Sequence, residues 1–172
     1  MTPKTPRPES VLLLREPRNR VADRAVRYWR VRALVTWTVV LVLEVVALFA
    51  SPDGVLPFLR WALVLTAFLG ACHVLVMPPW RYRVHRWEVQ PDSLYVQTGW
   101  WVQERRVTAV ARIQTVDQKR GPLEQWLGLA SVVVTTASAA GAIVVRGLDS
   151  KVAEQVVAGV HEQARLAVDD AT

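Results

Sequence analysis

Two long apolar runs constrain this chain more than any other feature of its sequence. Residues 33–50 contain a single charged residue, Glu44, and residues 58–77 contain only Arg60. As α-helices with a rise of about 1.5 Å per residue, the runs would be roughly 27 to 30 Å long, close to the thickness of a bilayer core. The alternative is a pair of helices buried in a soluble domain, but such helices usually carry a polar face and neither run has one. The short link between the runs therefore predicts a membrane α-helical hairpin.

Arginine is concentrated before the first run and after the second. Seven arginines lie between residues 15 and 32, and three more follow the second run within ten residues, whereas residues 51–57 contain no Lys or Arg. Positive charge beside a span resists translocation, so both termini are expected to be cytoplasmic in a multi-pass protein of the inner (plasma) membrane. The predicted organisation is a basic cytoplasmic segment at residues 1–32, the hairpin at 33–77 with spans 33–50 and 58–77, and a cytoplasmic domain at 81–172.

Two charged residues, Glu44 and Arg60, and the titratable His73 lie inside the two predicted spans. Such residues are costly in hydrocarbon, which makes them candidates for function. Counted from the turn, Glu44 would lie about 9 Å deep and Arg60 about 3 Å, so the long Arg side chain could reach the carboxylate. We predict a structural pair between the two. The alternative function is a small transporter or channel subunit, which would use Glu44, Arg60 and His73 as an oligomer.

From residue 81 the pattern changes to short β-rich segments with turn residues between them, which is typical of an antiparallel sheet or small barrel. Residues 121–128 predict a short helix between strands, and Asp149 can cap a last helix. Residues 1–20 are expected to form a flexible tail. The predicted strands are residues 82–89, 94–98, 100–107, 110–117, 130–136 and 142–146. The apolar stripe of the last helix is Val152, Val156, Val157, Val160 and Ala164.

Several stretches in one order resemble the bacterial pleckstrin-homology-like (PH-like) membrane proteins of the YdbS-like type. They are Tyr28-Trp29-Arg30, His85-Arg86-Trp87-Glu88, Arg112-Ile113-Gln114-Thr115-Val116-Asp117, Gly121-Pro122-Leu123, Leu127-Gly128-Leu129, Thr135-Thr136-Ala137-Ser138 and Gly147-Leu148. The resemblance implies two membrane helices followed by a cytoplasmic α+β domain. That domain would be a bent, partly open barrel of seven strands closed by a C-terminal helix. Six strands are predicted above, so one is unassigned. The resemblance supplies no catalytic residues.

No pattern in the sequence is typical of catalysis. The chain has one cysteine, Cys72, which excludes an internal disulfide and any multi-Cys zinc site. His85 and Glu88, three residues apart on a predicted strand, are expected to face opposite sides. No phosphate-binding loop or nucleophile motif occurs. We therefore predict a protein that is not an enzyme, without metal or cofactor. Nucleic-acid binding would use similar residues, but the arginines follow the span ends, where topology already accounts for them.

A binding role at the membrane surface is the leading hypothesis, because anionic headgroups attract cations and an exposed tryptophan beside charge is typical of contact sites. Trp100 and Trp101 are expected on a strand, with one ring facing away from the core. The partners would be anionic lipids, a protein or a second copy of the chain. Phosphoinositide-type recognition is not expected, since the loop Gln90-Pro91-Asp92-Ser93 between the first two predicted strands has no basic residue. The candidate binding residues are Arg81, Arg83, Arg86, Trp101, Arg105, Arg106 and Arg112.

Overall fold

The computed structural model of the chain describes residues 15–136 and 141–169, with side chains up to Glu162. In chain order the elements are β1 (Asn19–Arg20), α1 (Arg24–Ala50), α2 (Leu56–Val84), β2 (Arg86–Val89), β3 (Ser93–Gly99), β4 (Gln103–Ala109), a 3₁₀ turn (Val110–Arg112), β5 (Ile113–Lys119), α3 (Pro122–Trp126), β6 (Leu129–Thr136), β7 (Ile143–Asp149) and α4 (Ser150–Asp169). They divide into two compact units. One is Val26–Trp80, and the other comprises residues up to Ala25 and from Arg81 onward.

The unit Val26–Trp80 consists of the paired helices α1 and α2. These helices have 27 and 29 residues, or roughly 40 and 44 Å of length. They pack through a cluster of Ala33, Val74 and Met77, with Trp37 against it. A Cβ on Gly70 would lie 3.0 Å from the Trp37 ring, so glycine permits this close approach. Both helices are long and apolar enough to cross a membrane, and most of their large apolar side chains are exposed.

Helix α2 is longer than its apolar run predicts. It continues through Pro78 and Pro79 and ends at Val84. A proline removes only its own N–H from the helical ladder, so residues beyond it can still donate. The backbone N–H of His85, for example, donates to the carbonyl of Arg81 at 2.9 Å. The strand predicted to begin at residue 82 was therefore wrong at its start, and β2 begins at Arg86.

The other unit contains two antiparallel sheets. One has the strand order β1-β2-β3-β4 and the other β5-β6-β7. The 3₁₀ turn joins them, and the backbone N–H of Val110 donates to the carbonyl of Asp92 at 2.9 Å. The buried apolar side chains of this unit include Leu94 of β3, Val110 of the 3₁₀ turn, and Val132, Val134 and Val145 of the second sheet. This architecture confirms the coarse fold, a pair of long apolar helices and an α+β unit with open sheets.

Strand β1 was missed, because residues 1–20 were predicted to be a flexible tail. Residues 1–14 lie outside the described part of the chain. Asn19 and Arg20, however, pair with Trp87 and Arg86 across 66 or more residues of sequence. The backbone N–H of Ala22 then donates to the carbonyl of Gly147 at 2.9 Å, so the same segment connects β2 of one sheet to β7 of the other. This strand supplies the seventh strand that the family resemblance implies.

Glu88 fastens the segment before β1 to the first sheet. Its carboxylate accepts two hydrogen bonds from the Arg15 guanidinium, both at 2.8 Å, and one from the backbone N–H of Arg18 at 3.2 Å. Gln90 donates a further bond at 3.0 Å. The hydroxyl of Tyr95 donates to the carbonyl of Arg15 at 2.7 Å. The hydrogen bonds from Arg15, first, and from Gln90 and Arg18 hold the pKa of Glu88 at about 2 although burial opposes the shift.

The last helix, α4, packs on the three-stranded sheet and the 3₁₀ turn. Asp149 accepts a hydrogen bond from the backbone N–H of Lys151 at 3.1 Å, which confirms the predicted cap. Of the predicted stripe, Val156 and Val160 are buried, and Val152 and Val157 are half-buried. The side chain of Ala164 lies outside the described residues, as do Ala137 and Ser138 of the family motif.

Glu88→Gln is expected to lower the stability of the two-sheet unit at neutral pH, because an amide cannot form the charge-assisted pair with Arg15. The pKa of Glu88 is about 2 in the folded chain and 4.5 ordinarily. Its stabilisation is therefore complete above about pH 4.5 and disappears as the pH falls towards 2. The measurement is urea unfolding of the full chain in detergent micelles, followed by tryptophan fluorescence. As the pH falls from about 4.5 to about 2, the urea midpoint should decrease less for E88Q than for the wild type. The control Asp117→Asn removes an exposed carboxylate and should follow the wild type; identical wild-type and E88Q profiles would contradict this account.

Candidate functional site

The hairpin of β3 and β4 ends in an exposed apolar turn formed by Trp100, Trp101 and Val102, here called the Trp turn. Their exposed fractions are 39%, 84% and 75%. The two indole rings meet edge to face, with centroids 6.0 Å apart and planes at 63°. Trp101 and Val102 therefore bury little of their apolar surface within the fold. The turn is therefore a candidate contact surface.

Gly99 makes this turn possible. Its φ is +115°, a region that side chains rarely tolerate. A Cβ at this position would lie 1.9 Å from the carbonyl oxygen of Val102, which is far inside any van der Waals contact. The cross-strand pair that follows the turn is Gly99 with Gln103. The tryptophans were predicted to begin a strand, and this was wrong: the chain reverses at Gly99, so both rings lie in the turn and both are exposed.

The arginines of β4 point to different faces of the sheet. Arg105 lies opposite Gln97, and Arg106 lies opposite Val96. Because neighbouring strand residues alternate, one guanidinium extends from each face. Arg105 is exposed. Arg106 is half-buried and donates from Nε to Glu104 Oε1 at 2.7 Å. Arg112, in the 3₁₀ turn, is exposed. The candidate residues after the Trp turn thus do not form one patch.

The three arginines at the end of α2 differ in their surroundings. Arg81 and Arg83 lie in the last helical turn, and Arg86 is the first residue of β2. Arg86 forms an ion pair with Glu16 at 3.0 Å and is one-fifth exposed at its side chain, so its charge is largely compensated. Arg83 is exposed. Arg81 contacts His85, its Nε donating to Nε2 at 3.4 Å.

His85 lies between α2 and β2 and is 3% exposed. The expectation that it shares a strand with Glu88 was wrong, because the strand begins one residue later. Burial, with the charges of Arg81 and Arg146, lowers the pKa of His85 to about 4, although hydrogen bonds to the backbone of Arg81 and Gly99 oppose the shift. His85 is therefore neutral at physiological pH.

A polar cleft of about 140 Å³ lies between β3–β4 and β7. On one wall the cross-strand pairs Val96–Arg106 and Thr98–Glu104 share a face. The other wall is formed by β7, from which Val144 and the exposed Arg146 extend on the same side. Arg146 was absent from the sequence-based candidates. The signal that could have found it is the alternation of Ile143 and Val145, both buried, which turns Arg146 outward.

Comparison with known proteins decides the family. A family model described as "Bacterial PH domain" matches residues 31–164, well over half of the chain. This chain belongs to the bacterial PH domain family. It is also similar to the transmembrane protein YdbS of Bacillus subtilis (strain 168), with 25% identity over 162 residues, covering 90% of this chain and 98% of that protein. No solved structure matches.

Membership in the bacterial PH domain family confirms the resemblance drawn from the sequence motifs. Together with the two apolar helices and the transmembrane relative, it identifies a membrane protein with a PH-like domain. Bacterial PH domains and YdbS-type membrane proteins are not typically enzymes. No group of three or more His, Cys, Asp or Glu side chains that could hold a metal ion occurs among the residues described.

The ionisable residues of the helical unit are not brought together as predicted. The hydroxyl of Thr66 donates to Glu44 Oε1 at 2.8 Å, and no ion pair joins Glu44 to Arg60 in the described part of the chain. The predicted structural pair was therefore wrong, because a neighbour on α2 satisfies that oxygen and the Arg60 side chain is exposed. His73 accepts at Nδ1 from the indole N–H of Trp37 at 2.9 Å. These two contacts are separate from each other, and the use of Glu44, Arg60 and His73 by an oligomer stays a prediction.

Gly99→Ala is expected to destabilise the PH domain by about 1–3 kcal/mol, since the positive φ is strained for alanine and the Cβ meets the Val102 carbonyl. The matched control is Gly159→Ala in α4, where nothing lies within 4 Å of the added Cβ. A helical Gly-to-Ala change should stabilise by about 0.5–1 kcal/mol. Urea unfolding of the full chain in micelles measures both. Equal midpoints for G99A and the wild type would refute the geometry of the turn.

Proposed function

We propose that the chain is a non-enzymatic integral membrane protein whose PH domain binds the anionic face of the inner (plasma) membrane from the cytoplasm. The proposal rests on the Trp turn, where Trp101 is 84% and Val102 is 75% exposed. Tryptophan favours the membrane–water interface, because its ring is apolar and its N–H can remain hydrated. A rigid hairpin that presents two indoles and a valine is therefore suited to insertion at headgroup depth.

Exposed cations support an anionic surface as the target. Arg105 and Arg112 are exposed, and so is Arg83 at the end of α2. Each cation close to an anionic leaflet contributes about 1 kcal/mol, and this attraction weakens with salt. Arg86 and Arg106 contribute less than the sequence predicts, since acidic partners compensate their charges. The Trp turn therefore carries the proposed lipid contact, and the exposed arginines, which do not form one patch, add a diffuse attraction to the anionic leaflet.

The pairing of β1 with β2 supports cytoplasmic termini. β1 precedes the two long helices and β2 follows them, yet Asn19 pairs with Trp87 in one sheet. A sheet cannot form across a bilayer, so the number of spans between these strands has to be even. Two spans satisfy this requirement, and the arginines before α1 and after α2 then lie on the cytoplasmic side, as the positive-inside rule demands.

The packing of α4 supports the finer fold that we propose for the domain. Val156 and Val160 are buried where this helix contacts the 3₁₀ turn and β5–β7. A C-terminal helix in this position would close a bent, partly open barrel formed by the two sheets. A protein partner, or a second copy of the chain, remains the alternative occupant of the Trp turn, and the following experiment separates it from lipid.

The Trp turn is expected to insert into anionic membranes. Val102→Cys in a Cys72→Ser background, labelled with an environment-sensitive dye in full-length proteoliposomes, should show a blue-shifted emission with phosphatidylglycerol present and a smaller shift with neutral lipid alone. Trp101→Ala in the same background should reduce the shift, because it removes the larger part of the apolar tip.

The matched control is Asp92→Cys, an exposed position in the turn at the opposite end of β3. Its dye should report water in both lipid mixtures. Water-like emission at Val102→Cys in anionic vesicles, with normal folding, would exclude lipid insertion. Insertion only after a second protein is added would instead assign the turn to a protein partner.

The turn between α1 and α2 is expected to face outward. Ser51→Cys in the Cys72→Ser background should react with an impermeant thiol reagent on intact cells or spheroplasts. Asp92→Cys should react only after the membrane is permeabilised. The opposite labelling pattern would reverse the proposed topology.

A further inference from the structure

The cleft beside the Trp turn has the form of a small anion site. Its volume of about 140 Å³ greatly exceeds the roughly 10–15 Å³ that one water requires. Its polar side chains are Thr98, Glu104, Arg106 and Arg146, on a floor formed by Val96 and Val144. Two guanidinium groups from different sheets therefore converge on one concave surface.

The charges in the cleft do not cancel. Glu104 compensates Arg106, with Nε and Oε1 2.7 Å apart. This ion pair also holds the Arg106 guanidinium against the wall. Arg146 has no ion-pair partner among the residues that the structure describes. The lowered pKa of His85, to which the charge of Arg146 contributes, is consistent with a positive potential here, and neutral His85 adds no charge. The net formal charge of the lining is +1.

We propose that this cleft binds the singly charged phosphodiester of a phospholipid headgroup, a ligand assignment that rests on the proposed membrane contact. Arginine binds phosphate oxygens bidentately, and Arg146 is the principal ligand because Arg106 is shared with Glu104. The Glu104 carboxylate favours a monoanion over a multiply phosphorylated headgroup, since it repels additional negative charge. It can also accept a hydrogen bond from a headgroup hydroxyl, which makes phosphatidylglycerol the expected ligand.

The position of the cleft along the hairpin fits a lipid source. Thr98 and Glu104 form the cross-strand pair next to Gly99 and Gln103, beyond which the Trp turn begins. Two residues, Gly99 and Trp100, separate Thr98 from Trp101. The distance is therefore at most about 10 Å, and it is shorter because the chain reverses at Gly99. The headgroup region of one leaflet is roughly 5–8 Å thick. With the Trp turn at the base of this layer, the mouth of the cleft lies beside the phosphates.

The test uses the full chain in non-ionic micelles, with phosphatidylglycerol or phosphatidylcholine added and native mass spectrometry as the measure of retained lipid. The wild type is expected to retain one phosphatidylglycerol more tightly than phosphatidylcholine. Arg146→Gln should weaken that retention about tenfold or more, because it removes a charge-assisted bidentate contact. Arg146→Lys keeps the charge without the planar fork and should recover only part of it.

Arg120→Gln is the matched control, since it removes an exposed arginine that does not line the cleft and has no part in the proposed membrane contact. It should retain phosphatidylglycerol like the wild type. Equal retention by R146Q, R120Q and the wild type would overturn the site, as would a wild type that does not prefer phosphatidylglycerol. Unchanged circular dichroism and thermal midpoints show that the variants fold. Glycerophosphoglycerol, the headgroup without acyl chains, should compete at least 100-fold more weakly; equal competition would overturn the lipid assignment in favour of a soluble phosphodiester.

The dye measurement at Val102→Cys is repeated in protein that also carries R146Q. It separates a failure of the headgroup site from a failure of the membrane contact. Normal insertion with unchanged lipid retention would reject the headgroup site and leave the membrane contact intact. A dye that reports water in every protein would reject the membrane contact itself.

Discussion

The PH domain depends on an association between two parts of the chain that the helical hairpin separates. Strand β1 and the residues before it lie on one side of the hairpin in sequence, and every other strand lies on the other. Backbone hydrogen bonds from Asn19–Arg20 to β2 and from Ala22 to Gly147 of β7 join them. Without this segment the first sheet would lose its edge strand, and Glu88 would lose Arg15, its principal partner, in a site with 6% of its surface exposed. The membrane helices are therefore an insertion within the domain, and a fragment that starts at residue 81 lacks part of it.

This discontinuity also marks what local sequence patterns can predict. The two apolar runs, the change to β-rich segments and the stripe of α4 are periodic over many residues, so each was predictable from one short window. Strand β1 has two residues without periodicity, and only its partners 66 or more residues away define it. The family motifs implied a seventh strand without locating it. The continuation of α2 past Pro78 and Pro79 was missed for a related reason, since proline ordinarily signals a helix end.

The residue types of the candidate site could be predicted from the sequence, but their arrangement in space could not. The adjacent tryptophans were recognised as a contact feature, but the positive φ of Gly99, which turns both outward, requires the backbone. Charge counting gave six arginines as candidates without their acidic partners. Glu16 and Glu104 compensate Arg86 and Arg106, whereas Arg146 carries an uncompensated charge within the described chain. A list of basic residues thus overstates the available charge at Arg86 and Arg106 and omits Arg146. The reason is that the sequence does not show which arginines form ion pairs in the folded chain.

The Trp turn and the cleft would contribute differently to a membrane contact. Insertion of indole rings depends on the apolar area removed from water and discriminates little between headgroups. The cleft, with a net formal charge of +1, discriminates by headgroup charge and by fit to a bidentate guanidinium, but a single solvated cation contributes modest affinity on its own. Glu104 pairs with Thr98, one cross-strand pair away from the Gly99–Gln103 pair that adjoins the Trp turn. The hairpin therefore positions the turn and the cleft together.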